Sequence, residues 1–448
     1  MKEELDKKNF GFNFHRVFSS GLKINFQQAA PFWVASLLTG LVAVGYAKLF
    51  GYAEDLLHLI FEWHRWLIFI LAPLCFFLAW LIVQKFSPKA RGSGIPQVMA
   101  AIELSTPKFD KLVDRFLSIR IVIVKILSSL LMLLGGGAIG REGPTIQIAG
   151  SIFRVVNRLI PGTWTKLSNQ SFILTGAAAG LAAAFNTPLG GIVFAVEELA
   201  RIHMRFFRTA LFSAVIIAGL TAQGLLGSYL YLGYPNVRNL PFTVFFGVAA
   251  TAVLAGLLGG LMARFILIIN KWKKSFSLSK TILFIFCSGI LIAAIAYFVN
   301  EQILGSGKDL MNNTLFTSDK QVAWHTVIMR ILGPAICFNT GGAGGIFAPS
   351  LAAGAAVGAF LSSFFVLSDA SANIIILSGM VGFLTGVTRT PFTSAILVLE
   401  MTDRHSVIFH LMLAGMVSNI AAFLIDKKSL YEHLKELYIK EIIPDKKE

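Results

Sequence analysis

Two adjacent charges, Arg141 and Glu142, stand inside a long apolar run, in the stretch GGGAIGREGPTIQIAG at 135–150. Gly143 and Pro144 follow at once. Glycine permits tight backbone, and proline suits the first turn of a helix, where its missing N–H would be unpaired anyway. The spacing predicts a loop reaching Gly143 and a helix starting at Pro144. A helix start directs unpaired N–H groups and partial positive charge outward, which makes it a site for an anion. The Glu142 carboxylate can fill such a site itself. Once protonated it loses that attraction, and an anion from solution can take its place. Acidic residues also serve as ordinary caps in a first helical turn. At membrane depth, however, an ionisable side chain costs about 2.5–3.5 kcal/mol on insertion scales and marks a functional position by default.

Three further places carry unusual chemistry. GSGIPQ at 92–97 sets Ser93 between two glycines, with Pro96 opening a helix, so a hydroxyl and nearby N–H groups face one point; an ordinary turn and cap would use the same residues. Glu197 and Glu198 end a small-residue span and precede Arg201, Arg205 and Arg208, a basic cluster that marks the cytoplasmic side. Tyr431 lies just past the last apolar span, where tyrosine commonly anchors a helix at the interface.

The elements that must position these residues are apolar helices. The chain is 55% hydrophobic and only 14% charged, against about 25% charged in a soluble domain, so it reads as a polytopic, all-α membrane protein. Net charge is +15, from 39 basic and 24 acidic residues; cytoplasmic loops rich in Lys and Arg account for it, and it concentrates anions near a vestibule. No polar domain is long enough to bind nucleic acid. The start, MKEELDKKNF, lacks the short apolar core and cleavage site of a signal peptide. Cys75, Cys287 and Cys337 have no paired spacing, so buried thiols are expected and neither a disulfide framework nor a metal site; no cofactor is indicated. Lys125, inside the span that begins at Ile119, snorkels or pairs and receives no role.

The chain also repeats itself. TGGAGGIFAPSLAAG at 340–354 resembles the stretch at 135–150, and LSGMVGFLTGVTRTPFTSAILVLEM at 377–401 resembles LTGAAAGLAAAFNTPLGGIVFAVEE at 174–198. Pro349 lies 205 residues after Pro144, and Pro391 lies 203 after Pro188. Repeat-built transporters place their site where the repeats meet, with interrupted helices aiming positive N-termini at anions. In the second copy Ile346 and Phe347 stand where the first has Arg141 and Glu142. One helix start carries a titratable gate, and its partner offers backbone N–H groups and an apolar wall. The expected organisation is an interfacial, cytoplasmic-side N-terminal helix at 1–32, ended by Pro31, then membrane repeats at 33–232 and 233–426 and a short cytoplasmic tail at 427–448.

GSGIP (Gly92, Ser93, Gly94, Ile95, Pro96), GREGP (Gly140, Arg141, Glu142, Gly143, Pro144) and GGIFAP ending in Gly345, Ile346, Phe347, Ala348 and Pro349 resemble, in order and spacing, the three filter signatures of the CLC chloride channels and proton-coupled chloride transporters. SLY at 429–431 matches the family's fourth contribution, and the resemblance covers essentially the whole chain. It implies two inverted halves of short, tilted and broken helices, and a homodimer with one pore per subunit in membrane lipid. It implies that Ser93 and Tyr431 bind a central chloride through their hydroxyls and Ile346 and Phe347 through backbone N–H. It implies that Glu142 is the external gate and Glu198 the internal proton-transfer residue. A glutamate at position 198 goes with the exchangers rather than the channels, and Ser93 with chloride selectivity. Retention of GSGIP and of the tyrosine sets the chain apart from the fluoride exporters. Without the CBS domains of large eukaryotic members, a prokaryotic type in a bacterial inner membrane is expected.

The function expected is exchange of chloride for protons rather than catalysis. A passive voltage- or pH-gated chloride channel shares every filter residue. A cation-coupled transporter would want Asp or Asn ligands near the helix breaks, and a hydrolase a Ser/His or paired-Asp set; these are scarce or lacking in the sequence.

Overall fold

The computed structural model describes residues 14–164, 168–199, 208–227 and 230–443; Arg201 and Arg205 of the expected basic cluster lie outside them. The described residues form helices joined by short loops, with two isolated β-bridges as the sole extended pairing among them. The first half holds α1 (Phe14–Trp63), α2 (Ile68–Phe86), α3 (Ile95–Leu104), α4 (Asp110–Val113), α5 (Ile119–Leu134), α6 (Glu142–Leu159), α7 (Asn169–Phe185), α8 (Pro188–Phe194) and α9 (Arg208–Leu226). The second holds α10 (Val244–Lys273), α11 (Leu278–Phe298), α12 (Lys308–Phe316), α13 (Trp324–Asn339), α14 (Phe347–Ser362), α15 (Asp369–Thr388), α16 (Pro391–Thr402) and α17 (Ile408–Phe423), followed by α18 (Leu430–Lys440).

Among the described residues seven helices are long and apolar enough to cross a membrane, and large apolar side chains such as Ile70, Leu283 and Phe298 cover the outside. An exposed apolar surface of this kind is what lipid requires. The chain is a multi-pass membrane protein. α10, at 30 residues, runs about 45 Å and must tilt to fit a hydrocarbon layer of about 30 Å. α3, with 10 residues, and α16, with 12, are too short to span, so each ends inside the protein.

The repeat is visible as matched pairs. α6 packs on α7 as α14 packs on α15. Small residues bring them close: a Cβ at Gly180 would meet Ala149, and one at Gly354 would meet the backbone of Gly379. α15 is buried along its length and forms the axis of the second half. The halves interlock through α8 and α16. Glu400, near the end of α16, accepts from the N–H groups of Leu189 (3.0 Å) and Gly190 (2.6 Å) at the start of α8. Glu197, just past α8, accepts from Phe392 (3.1 Å) and Thr393 (2.6 Å) at the start of α16. Each helix is capped by a carboxylate from the other, an arrangement that requires the pair to run in opposite directions.

Three expectations change. Pro31 does not end the first helix: α1 continues through it for 50 residues, so a boundary at residue 32 falls within one helix. Proline forfeits one hydrogen bond and bends a membrane helix without breaking it. α6 begins at Glu142 rather than Pro144, which makes the glutamate its first helical residue. Cys75 and Cys337 are buried, but Cys287 is exposed on α11.

Candidate functional site

Three helix starts meet inside the protein. The loops ahead of them are stitched together: Gly140 and Gly345 exchange both backbone hydrogen bonds (2.8 and 2.7 Å), Gly92 N–H donates to Gly342 (2.8 Å), and Gly344 N–H donates to Gly92 (3.1 Å). Gly94, with φ +106°, is the left-handed residue that turns the chain into α3; a Cβ there would also strike the carbonyl of Gly143 and the side chain of Gln147.

The starts of these helices lack the serine cap that several others carry. Serines 118, 168, 277, 368 and 429 cap α5, α7, α11, α15 and α18 with their side chains. The starts of α3, α6 and α14 have no side-chain cap from Gly94, Arg141 or Ile346. Their leading N–H groups stay available, and three such dipoles aimed at one region favour an anion there.

The expected side chains are brought to this region. Ser93 is 1% exposed and Tyr431 0%. The two hydroxyls face each other, and neither has a hydrogen-bond partner outside the pair. The Tyr431 ring stacks on Phe347 (centroids 6.1 Å apart, planes at 9°), and Phe347 also meets Phe185 and Phe194. Tyr431 is therefore a core residue rather than an interfacial anchor. Glu142, 1% exposed, lays its carboxylate against Gly140 and near the Ala348 N–H at the start of α14; its Oε2 is unpartnered. A buried polar group left unsatisfied costs about 1–3 kcal/mol, so three in one region amount to an unmet demand for a polar guest.

Ile346 and Phe347 sit at the N-cap and first helical positions of α14, as Arg141 and Glu142 do in α6. Glu198 lies apart, beyond α8, lining a cavity of about 230 Å³ with Glu103, Gln170 and Lys435. Lys435 Nζ donates to Glu103 Oε2 at 2.8 Å. Tyr431 lies within electrostatic range of both Glu142 and Glu198.

Sequence reasoning passed over the parts that hold this assembly. Lys125 neither snorkels nor pairs with an acid: it is fully buried and donates to the carbonyls of Ala90 and Gly92, both at 2.8 Å, which fixes the loop ahead of Ser93. A lone lysine in an apolar span was the only signal. Lys125→Met is expected to orphan the Ala90 carbonyl and leave Gly92 with the Gly344 N–H alone, costing about 1–3 kcal/mol, and to lower the melting midpoint while weakening anion binding; thermal melts with and without chloride check it. At the other end of that loop Lys89 and Arg91 bond the carboxylate of Glu441, and both stack on Tyr438 of α18 (5.7 and 5.0 Å). Burial works against the charge on Glu441, yet Arg91 and Lys89 hold its carboxyl below the usual range. This clamp, which ties the end of α18 to the loop ahead of Ser93, is at full strength above the usual carboxylate range and is released as pH falls through the depressed value.

Residues 75–422 match the family model described as voltage gated chloride channel. The chain belongs to that family. Over 417 residues it is 29% identical to the H(+)/Cl(-) exchange transporter ClcA of Citrobacter koseri and 28% identical to that of Salmonella arizonae, with 89% of this chain and 86% of each relative covered. The structure superposes on that of a slow cyanobacterial Cl-/H+ antiporter with a TM-score of 0.80 at 24% identity, covering 93% of this chain and 98% of the other. A CLC-type fluoride/proton antiporter gives 0.74 at 20% identity, with 90% and 96% covered. At these identities the solved structures show a shared fold, the CLC type with two inverted repeats. The match takes in all three filter loops, and the curated relatives are transporters.

Proposed function

We propose that this protein exchanges chloride for protons across a bacterial inner membrane through one shared site. The observation that carries the reading is the meeting of uncapped helix starts with two hydroxyls unpartnered outside their pair and a carboxylate laid at one of those starts. Ser93 and Tyr431 bind a central chloride through their hydroxyls, and Ile346 and Phe347 through backbone N–H. The surrounding loop residues Gly92, Gly94, Ile95, Pro96, Gly140, Arg141, Gly143, Pro144, Gly345, Ala348 and Pro349 form the filter. Glu142 is the external gate. Ionised, it fills an anion position; protonated, it gives that position up. Two unit charges about 4 Å apart at an effective dielectric of 20 repel by about 4 kcal/mol, enough for an arriving chloride to drive proton uptake by the gate. Glu198 passes protons between the inner side and the site. The working unit is a homodimer with one pore per subunit, surrounded by lipid, carried over from the family.

Bacterial relatives named as H(+)/Cl(-) exchangers support exchange over passive conduction. The test is a reconstituted flux assay reading chloride and pH together. Under a pH gradient with equal chloride on both sides, an exchanger shows a reversal potential away from zero and a channel shows zero; the second result sinks the proposal. Tyr431→Ala removes one hydroxyl donor to an anion, about 1.5 kcal/mol, so chloride binding by calorimetry is expected to weaken about tenfold and coupling to loosen. Unchanged affinity removes Tyr431 from the site.

A further inference from the structure

The outer approach to Glu142 holds a second acid. A cavity of about 410 Å³ is lined by Glu142, Arg141, Glu54 and Lys48 of α1, and Ser306 and Lys308. Glu54 is half-buried, and one of its oxygens, Oε1, accepts both the backbone N–H (3.1 Å) and the hydroxyl (3.0 Å) of Ser306. This pins the carboxylate in the mouth of the site rather than leaving it to swing in solvent. Its charge acts on Glu142, on Lys308 at the start of α12, and on the buried Arg330 of α13.

We propose that Glu54 sets the external acidity and chloride concentration at which Glu142 leaves its blocking position. The inference rests on the exchange reading above and adds a residue to it. A fixed negative charge in the shared cavity opposes the ionised gate and offsets the cations beside it. The other groups facing the pair are of three kinds. Arg141 and Lys308 favour the ionised gate, while Lys48 lines the same cavity and Arg330 faces Glu54. Asp309 opposes them but is turned toward His58 at 3.7 Å, with its side chain mostly exposed. Tyr46, whose hydroxyl is bonded to Ser129 at 2.6 Å, and Tyr431 are neutral. Tyr231 lines the cavity as a third neutral phenol. Glu54 is thus the acid fixed within the cavity besides the gate itself.

Glu54→Gln separates charge from structure, because the amide oxygen can accept the same two bonds from Ser306. Lys308→Gln removes a charge of opposite sign from the same cavity. The full chain is reconstituted into vesicles, and chloride-driven proton flux is recorded against pH set equal on both sides. Glu54→Gln is expected to move the half-activation point about half a pH unit lower and to reduce the chloride needed for half-maximal flux two- to threefold, about what one charge across a wet cavity supplies. Lys308→Gln is expected to shift both in the opposite direction. A packing defect would not reverse sign with charge. Glu54→Gln profiles that superimpose on wild type, or shifts of one sign in both variants, overturn this inference while leaving exchange intact. Wild-type vesicles that carry chloride with no coupled protons overturn both.

Discussion

Replacing Glu142 by glutamine is expected to leave chloride moving through reconstituted vesicles while coupled proton movement falls to background. The amide has the size of the carboxyl and lacks its charge, so it stands in for the protonated gate at every pH. In the structure the Glu142 carboxylate lies against Gly140 and near the Ala348 N–H at the start of α14, where it borrows the attraction of that helix end for an anion. A neutral amide has far less to gain there, and chloride can hold the place. Chloride flux in the variant should therefore lose its dependence on pH, since the group that carries the charge is gone. Simultaneous recording of chloride and pH in vesicles decides it. Proton movement still locked to chloride in Glu142→Gln would remove the gate from its role and return Glu142 to being an ordinary first-turn acid.

How much of this was legible in the sequence depends on how local the cause is. The two-halved fold could be read from glycine and proline spacing, because interrupted helices need those residues wherever they break. The equivalence of Arg141–Glu142 with Ile346–Phe347 held to the residue: the pairs occupy the N-cap and first position of α6 and α14. The glycine–proline spacing puts the start of α6 two residues late, at Pro144, because proline is tolerated throughout a first turn and need not open it. Pro31 was overvalued for a related reason: a single proline bends a long membrane helix without ending it. What stayed hidden was tertiary. Nothing near Lys125 in the chain announces that its ammonium braces the carbonyls of Ala90 and Gly92, more than thirty residues away. Tyr431, in a polar tail, gave no sign of full burial; only the motif resemblance pointed inward. The acids Glu54, Glu400 and Glu441 carry no signal in the sequence, because their partners Ser306, Leu189 and Lys89 come from distant segments.

The adjacent glutamates at the end of α8 are where sequence left a choice that structure can sharpen into an experiment. Glu197 and Glu198 sit on one π turn, Ala195–Leu199, and point at different neighbours. The Glu197 carboxylate takes the N–H groups of Phe392 and Thr393 and the Thr393 hydroxyl (2.7 Å), matching what Glu400 does for α8. Its work is to cap α16, worth about 0.5–2 kcal/mol by analogy with other caps. Glu198 instead lines the cavity beside Glu103 and Lys435, and its charge, like that of Glu142, acts on Tyr431. Glu198→Gln is therefore expected to abolish proton transport while chloride flux persists and the melting point stays near wild type. Glu197→Gln, which keeps one acceptor oxygen, is expected to lower the melting point and leave the proton-to-chloride ratio unchanged. Matched flux and melting measurements on the two variants separate the roles. Were Glu198→Gln to transport protons at the wild-type ratio, the acid would be a solvated helix end, and the inner proton route would have to begin elsewhere, with Glu103 the next group in the same cavity to test.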